Sequence, residues 1–228
     1  MKKPQSSRLT MEKKFEYDII VIGTSAGGVE ALKILIGSLP YFKHVTIFIV
    51  IHIYSHSKSI LPLILAREGH WPVSHPIDGE KIKKGHIYVA SPNNHMLIEN
   101  GYIRLKDGPK VNNTIPAIDP LFYTASSFYG PRVIGIILTG MLDDGTAGLF
   151  AIKKAGGIAM IQDPFTAKYP DMPTNAQDKV PIDYCLQVEE MAAVLEKLTA
   201  QTKLNVRKKP LIKTKNSLLT SEERAPTS

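Results

Sequence analysis

Residues 17–38 read YDIIVIGTSAGGVEALKILIGS, and this stretch decides the fold. Its first part, Tyr17–Ile22, is a short and largely apolar run, which is typical of a buried β-strand. Its last part, Val29–Ser38, repeats apolar residues at helical spacing. The glycine-rich segment between them permits a tight turn from strand to helix. A buried strand that turns directly into a helix begins a βαβ unit, and we therefore expect a parallel sheet.

The same alternation of short apolar runs and helical patterns continues along the chain. Further strands are predicted at 45–51, 85–90, 133–138 and 158–162, and further helices at 58–67, 119–129, 146–155 and 189–198. Asn100-Gly101 lies between runs 95–99 and 102–106, which predicts a hairpin with a two-residue turn. Near-continuous apolar strands indicate a sheet that is covered on both faces. We predict an α/β fold: a doubly wound, mostly parallel sheet flanked by helices, with an inserted antiparallel hairpin.

The positive charge of the chain is concentrated at its two ends. The formal net charge is +7, of which residues 1–16 contribute +3 and residues 201–228 contribute +5, whereas residues 17–200 carry −1. A body without excess basic charge argues against a nucleic-acid partner. We expect residues 1–15 and 201–228 to be disordered basic tails around a single domain at 16–200.

Several other classes of protein are disfavoured by composition. No apolar run approaches the roughly 18 residues needed to span a bilayer, and the apolar stretch near the N-terminus is too short for a signal peptide. Cys185 is the only cysteine, so no disulfide can form within the chain, and the histidines show no metal-ligand spacing. We expect a cytoplasmic protein, and we expect it to have no metal site.

Polar side chains follow three of the predicted strands. Ser25 follows the first strand, His52 follows the second, and the pair Asp143-Asp144 follows the strand at 133–138. The carboxyl ends of parallel strands meet at one edge of a sheet, where ligands bind in doubly wound folds. The sequence therefore predicts that a serine, a histidine and an aspartate lie close together.

These residue types have the chemistry of nucleophilic catalysis. A serine becomes a nucleophile when a histidine takes its proton, and a carboxylate can orient that histidine. Spacing alone leaves simpler interpretations open: Ser25 as a turn or N-cap residue, His52 as a core histidine, and either aspartate as a helix cap. A dinucleotide-binding loop is disfavoured, because Ser25 stands where that motif has its second glycine.

The sequence resembles the catalytic domain of the chemotaxis protein-glutamate methylesterases, the CheB family. The resemblance covers roughly residues 17–198 and depends on several motifs in the same order. They are Ile22-Gly23-Thr24-Ser25-Ala26-Gly27-Gly28, Val50-Ile51-His52, Ile87-Tyr88-Val89-Ala90, Asn94-His95-Met96, Asp119-Pro120-Leu121-Phe122, Leu138-Thr139-Gly140-Met141-Leu142-Asp143-Asp144-Gly145, and Asp171-Met172-Pro173 with Ala176.

The resemblance implies a catalytic role for three residues. Ser25 resembles the nucleophile and His52 the general base, while the position after Thr-Gly-Met selects Asp144 rather than Asp143 as the third member. The implied reaction is hydrolysis of glutamate methyl esters, which requires neither a metal nor an organic cofactor. Family members often deamidate glutamine as well, and this is the implied second activity. The implied partners are the cytoplasmic helices of methylated chemoreceptors. The protein would associate with the membrane only by binding these receptors.

The resemblance also implies residues that line the site. It places Met141 near the oxyanion, and Ala26 at a position where many members have threonine. Met172 resembles the beginning of a helix that closes one side of the cleft.

Two departures from the family pattern affect the expected function. Only 16 residues precede the predicted first strand, whereas full-length members carry a receiver domain there, so we expect constitutive activity or a regulatory partner in trans. Ile115 stands where family members commonly have a basic residue before the proline, and this departure affects the expected substrate and rate.

Two alternatives to a receptor methylesterase stay open. The first is a hydrolase that acts on another ester or amide. The second is a non-catalytic signalling scaffold that keeps the fold.

Overall fold

The computed structural model describes residues 17–52 and 59–200. The strands are β1 Ile19–Thr24, β2 Thr46–Ile51, β3 Val73–Ser74, β4 His86–Val89, β5 His95–Glu99, β6 Tyr102–Lys106, β7 Val133–Ile137, β8 Ile158–Gln162 and β9 Tyr184–Leu186. The α-helices are α1 Gly28–Ser38, α2 Leu61–Glu68, α3 Ile118–Tyr129, α4 Thr146–Lys154, α5 Asp171–Lys179 and α6 Val188–Thr199. The expected tails, 1–15 and 201–228, and residue 58 of the predicted second helix lie outside the described residues.

Seven strands form one sheet in the order β3-β4-β2-β1-β7-β8-β9, and every neighbouring pair is parallel. The remaining two strands, β5 and β6, pair antiparallel as a separate hairpin with Glu99 opposite Tyr102. The predicted α/β class and the inserted hairpin are confirmed. The sheet itself is wholly parallel over the described strands, rather than mostly parallel.

Both faces of the sheet are covered, which is what the continuous apolar strands predicted. The side chains of β1 alternate between two cores, with Ile20 and Ile22 on one side and Ile19 and Val21 on the other. The first core is completed by α1, α2 and α6, and the second by α3, α4, α5 and the hairpin. The described helices include none that is both long enough and apolar enough to cross a bilayer.

The structure adds elements that local patterns did not predict. β3 and β9 have only two and three residues. Segments of this length are too short to show the alternation of apolar and polar residues that predicts a strand. Helix α5 was implied only at its start, and its sequence DMPTNAQDK is mostly polar, with three buried residues. These elements are held by contacts with neighbours in space, and their own sequences carry little signal.

Candidate active site

The candidate site lies at the point of the sheet from which the chain adds strands first on one side and later on the other. From β1 the chain first adds β2 and β4 on one side, and later returns to add β7, β8 and β9 on the other side. β1 and β7 therefore flank the switch point, where open α/β sheets bind ligands beyond the carboxyl ends of their strands. Ser25 directly follows β1 and His52 directly follows β2. The 138–145 segment, which contains both aspartates, follows β7.

His52 and Asp144 are in direct contact at this edge. His52 Nε2 lies 2.8 Å from Asp144 Oδ2, and the exposed fractions of the two side chains are 14% and 3%. Asp143, in contrast, is exposed and pairs with Lys179 at 3.3 Å. The geometry thus distinguishes two aspartates that spacing could not separate, and it brings Asp144 to the histidine.

Asp144 also caps a helix, although not the one that its position in the sequence suggested. Helix α4 follows it directly, but the N-cap residue of α4 is Gly145 and makes no side-chain cap. The carboxylate of Asp144 instead accepts hydrogen bonds from the backbone N–H groups of Ile118 and Asp119, at 2.7 and 3.2 Å, in the first turn of α3. The positive end of that helix stabilises the negative charge.

The hydrogen bonds around Asp144 favour its ionised form. Burial opposes ionisation, but hydrogen bonds from His52, the Ile118 N–H and Asn112 outweigh it, so the pKa of Asp144 lies below its ordinary value. An ionised carboxylate can only accept, and His52 Nε2 must therefore carry the hydrogen of the 2.8 Å bond. The other ring nitrogen, Nδ1, is then the one available as a base.

Ser25 is held by its backbone beside this pair. Its N–H donates to Thr139 O at 3.1 Å, and the N–H of His52 donates to Thr24 O at 3.2 Å. Among the described residues, Ser25 Oγ has no hydrogen-bond partner, and helix α1 is capped by Gly27 without any side-chain bond. Ser25 therefore lies at the same edge as His52, but its hydroxyl neither caps the helix nor forms a hydrogen bond with the imidazole.

The three predicted lining residues differ in exposure. Ala26 is half-buried, and its carbonyl accepts a hydrogen bond from Thr139 Oγ1. Met141 is 52% exposed. Met172 is buried in the first turn of α5, where its N–H donates to Gly140 O at 3.0 Å. The side chain of Met172 packs against Gly140, where it leaves no room for a Cβ.

Sequence reasoning did not assign roles to three further residues near the pair. Asn112 donates to Asp144 Oδ1 at 2.7 Å, and Thr114 Oγ1 lies 3.3 Å from His52 Nε2. Asp119 is a second buried carboxylate, whose pKa is raised by burial and by the charge of Asp144, against the hydrogen bond from the Gly148 N–H. Asn112 and Thr114 belong to an irregular loop, which sequence reasoning had marked only through Ile115, and Asp119 belongs to one of the motifs of the resemblance.

No group of three or more potential ligands among histidine, cysteine, aspartate and glutamate is placed to hold a metal ion within 17–52 and 59–200. The arrangement at the sheet edge is suited to proton transfer, because an imidazole is bonded to a carboxylate and a serine follows the neighbouring strand.

A doubly wound sheet with these groups at its switch point defines an α/β enzyme of hydrolytic type. The family model described as CheB methylesterase matches residues 20–195. This chain belongs to the CheB methylesterase family.

Solved and curated relatives agree with this assignment. A protein of Leptospira interrogans serovar copenhageni, provisionally named protein-glutamate methylesterase/protein-glutamine glutaminase, is 41% identical over 183 residues, which are 80% of this chain and 95% of the relative. The Thermotoga maritima protein-glutamate methylesterase/protein-glutamine glutaminase is 34% identical over 81% of this chain, which spans only 55% of that relative. The crystal structure of the Thermotoga maritima CheB methylesterase catalytic domain superposes with a TM-score of 0.75 at 32% identity, covering 79% of this chain and 98% of that one.

Proposed function

We propose that this chain removes methyl groups from glutamate side chains of chemoreceptors, with Ser25 as the nucleophile, His52 as the general base and Asp144 as the residue that orients the imidazole. The observation that carries the proposal is the 2.8 Å bond between His52 Nε2 and Asp144 Oδ2 at the same sheet edge as Ser25. The names of the relatives support the choice of substrate.

The proposed reaction proceeds in two halves. His52 Nδ1 accepts the proton of Ser25 Oγ, and the oxygen attacks the ester carbonyl to form a tetrahedral intermediate. The intermediate expels methoxide, which takes the proton from His52 and leaves as methanol. A water molecule then loses a proton to His52 and attacks the carbonyl of the acyl-enzyme, which forms a second tetrahedral intermediate. This intermediate expels Ser25 Oγ, which takes the proton back from His52, and the glutamate carboxyl group is released. Throughout, Asp144 holds the Nε2–H and stabilises the imidazolium.

Backbone N–H groups of Ala26 and Met141 are the proposed oxyanion donors. The N–H of Ser25 is engaged by Thr139 O, and that of Gly140 by Tyr169 O, whereas those of Ala26 and Met141 have no acceptor among the described residues. Preorganised donors of this kind stabilise the charge that develops on the carbonyl oxygen. Gly140, which precedes Met141 in the chain, lies close to the serine, because a Cβ on Gly140 would lie 2.8 Å from Ser25 Cβ.

Gly140→Ala is expected to lower the hydrolysis rate by about a hundredfold, because small displacements of reacting groups have effects of this size. The added methyl group would collide with Met172 Sδ and with Ser25 Cβ. The rate is measured with a small activated ester, together with the melting temperature. Gly37→Ala is the matched control, since its Cβ would approach Glu68 O only to 3.4 Å. Equal rates in the two folded variants would contradict a tight packing requirement at Gly140.

Glutamine deamidation is a second proposed activity, favoured by the glutaminase part of the relatives' names. The same attack by Ser25 Oγ on an amide carbonyl would release ammonia in place of methanol. Receptors that carry glutamine at the modification sites would reveal it as a mass increase of about one dalton per site.

The substrate is tested by methanol release from membranes that carry methyl-labelled receptors. We expect labelled methanol to appear with receptor membranes and to exceed turnover of a panel of unrelated small esters. Hydrolysis of small esters without release from any receptor would favour a different ester or amide substrate. Lack of both, with no labelling of Ser25 by a fluorophosphonate probe, would favour a non-catalytic scaffold.

A further inference from the structure

We propose that Asn112 is a positioning residue, which holds the carboxylate of Asp144 in the orientation that presents Oδ2 to His52. The inference extends the proposed function, on which its kinetic test depends. It follows from the contacts of one amide group with two buried carboxylates.

The side-chain amide of Asn112 bridges Asp144 and Asp119. Its Nδ2 lies 2.7 Å from Asp144 Oδ1 and 2.9 Å from Asp119 Oδ2. An amide nitrogen has two hydrogens, so each carboxylate takes one of them. The opposite orientation of the amide would turn its oxygen toward two carboxylates and is therefore strongly disfavoured. Asn112 is thus fixed in one orientation by the groups that it connects.

The bridge lies between the N-termini of α3 and α4, and a carboxylate beside each N-terminus accepts a hydrogen bond from the other helix. Asp144, which precedes α4, accepts from the N–H groups at the start of α3, while Asp119 in the first turn of α3 accepts from the Gly148 N–H of α4 at 2.7 Å. This arrangement brings two carboxylates together, and like charges at close range repel. The amide hydrogens of Asn112 lie between the two groups and offset part of this repulsion.

The hydrogen bonds to Asp144 show why the amide controls orientation. Oδ2 accepts from His52 Nε2 and the Ile118 N–H, and Oδ1 accepts from Asn112 and the Asp119 N–H. A carboxylate has about four acceptor sites, and all are used here. The bond from Asn112 is the shorter of the two at Oδ1, at 2.7 Å against 3.2 Å. Without it, the carboxylate is held on the Oδ1 side by one long bond and can rotate away from the imidazole.

The loop that carries Asn112 is itself anchored to the hairpin. The buried ring of His95 contacts both ends of segment 109–117, through Nε2 to Pro109 O at 3.1 Å and through Nδ1, which accepts from the Ala117 N–H at 3.2 Å. Within this segment, Thr114 Oγ1 also approaches His52 Nε2 at 3.3 Å. One anchored loop therefore contacts both members of the His52–Asp144 pair.

Asn113 supplies a matched control in the next position. Asn112 and Asn113 are both exposed overall and both adopt left-handed backbone conformations, with φ of 51° and 63°. The side chain of Asn113 makes no hydrogen bond to any residue that the structure describes. Alanine at either position incurs a similar backbone cost, so the difference between the two variants isolates the bridge.

We expect Asn112→Ala to lower kcat for a small activated ester by about tenfold to a hundredfold, as for other residues that orient a functional group through a hydrogen bond. KM is expected to stay within about twofold, because Asn112 is proposed to act through Asp144 and not on the substrate. Asn113→Ala is expected to retain the wild-type kcat. Equal kcat values for the two variants, or a change confined to KM, would overturn the proposal.

A spectroscopic measurement tests the same inference without turnover. The His52 Nε2 proton, bonded to a carboxylate, should give a low-field nuclear magnetic resonance line in wild type and in Asn113→Ala, and this line should shift or disappear in Asn112→Ala. Should Asn112→Ala fail to fold, Asn112→Asp replaces it, since the same shape presents an acceptor to both carboxylates and must perturb the line more strongly. An unchanged line in a folded variant overturns the role of Asn112. If wild type shows no turnover that depends on Ser25, the proposed function is contradicted. The nuclear magnetic resonance line of the His52 proton still tests the role of Asn112, because its detection does not require turnover.

Discussion

Replacing Ser25 with alanine is expected to lower methanol release from methylated receptor membranes by at least about a thousandfold. The variant keeps the turn after β1, because the N–H that donates to Thr139 O belongs to the backbone. It removes the proposed nucleophilic oxygen, while the backbone N–H groups proposed as oxyanion donors remain. Loss of a nucleophile from such a site leaves only the residual rate that those features support.

The matched control is Ser127→Ala on the exposed side of α3, where the hydroxyl donates only to Tyr123 O. This variant is expected to release methanol at the wild-type rate. A fluorophosphonate probe should label wild type and the control, and leave Ser25→Ala unlabelled. Release by folded Ser25→Ala above about a tenth of the wild-type rate would assign the nucleophile elsewhere.

Asp144→Asn is expected to lower kcat by about a thousandfold to ten-thousandfold. An amide is uncharged and stabilises the imidazolium poorly, and it can hold His52 in the wrong tautomer. The amide nitrogen of Asn replaces a carboxylate oxygen and is itself a donor. It must therefore face groups that are already donors, namely the N–H groups of α3 or Asn112. Because the side chain is buried, the free energy of unfolding is expected to fall by about 1–3 kcal/mol. Steady-state kinetics and denaturant unfolding measure the two effects.

Asp143→Asn is the control for this variant, since the exposed Asp143 contacts Lys179 and not His52. A surface ion pair contributes little to stability, and we expect near wild-type values of kcat and of the unfolding free energy. If Asp143→Asn loses as much activity as Asp144→Asn, the assignment of the orienting carboxylate is wrong.

The stability difference between wild type and Asp144→Asn is expected to depend on pH. The pKa of Asp144 is lower in the folded protein than its ordinary value, so ionisation of this carboxyl stabilises the fold above the unfolded pKa of about 4. That contribution is lost as the pH falls through the folded-state pKa. Unfolding titrations should therefore show the difference shrinking when the pH is lowered from neutrality to below about 4. A difference that grows under acid conditions would contradict the direction of the shift.

Most of the fold could be predicted because its core elements carry strong periodic patterns. The hairpin at 95–99 and 102–106 was predicted with the observed boundaries, and β8 likewise. The predicted first strand, Tyr17–Ile22, is displaced by two residues and ends at Thr24. Strand ends depend on pairing with neighbours, and here β2 and β7 continue the ladder through Gly23.

The sequence by itself determined that a doubly wound sheet would form and that Ser25, His52 and an aspartate would meet at one edge. Buried parallel strands require continuous apolar runs, and their carboxyl ends coincide wherever the crossovers are helices. Only the tertiary structure decided which aspartate reaches the imidazole, which ring nitrogen it engages, and that Asn112 joins Asp144 to Asp119. Those contacts arise between segments up to 92 residues apart in the chain. Their geometry depends on the packing of an irregular loop against two helix starts, for which local sequence has no periodic signal.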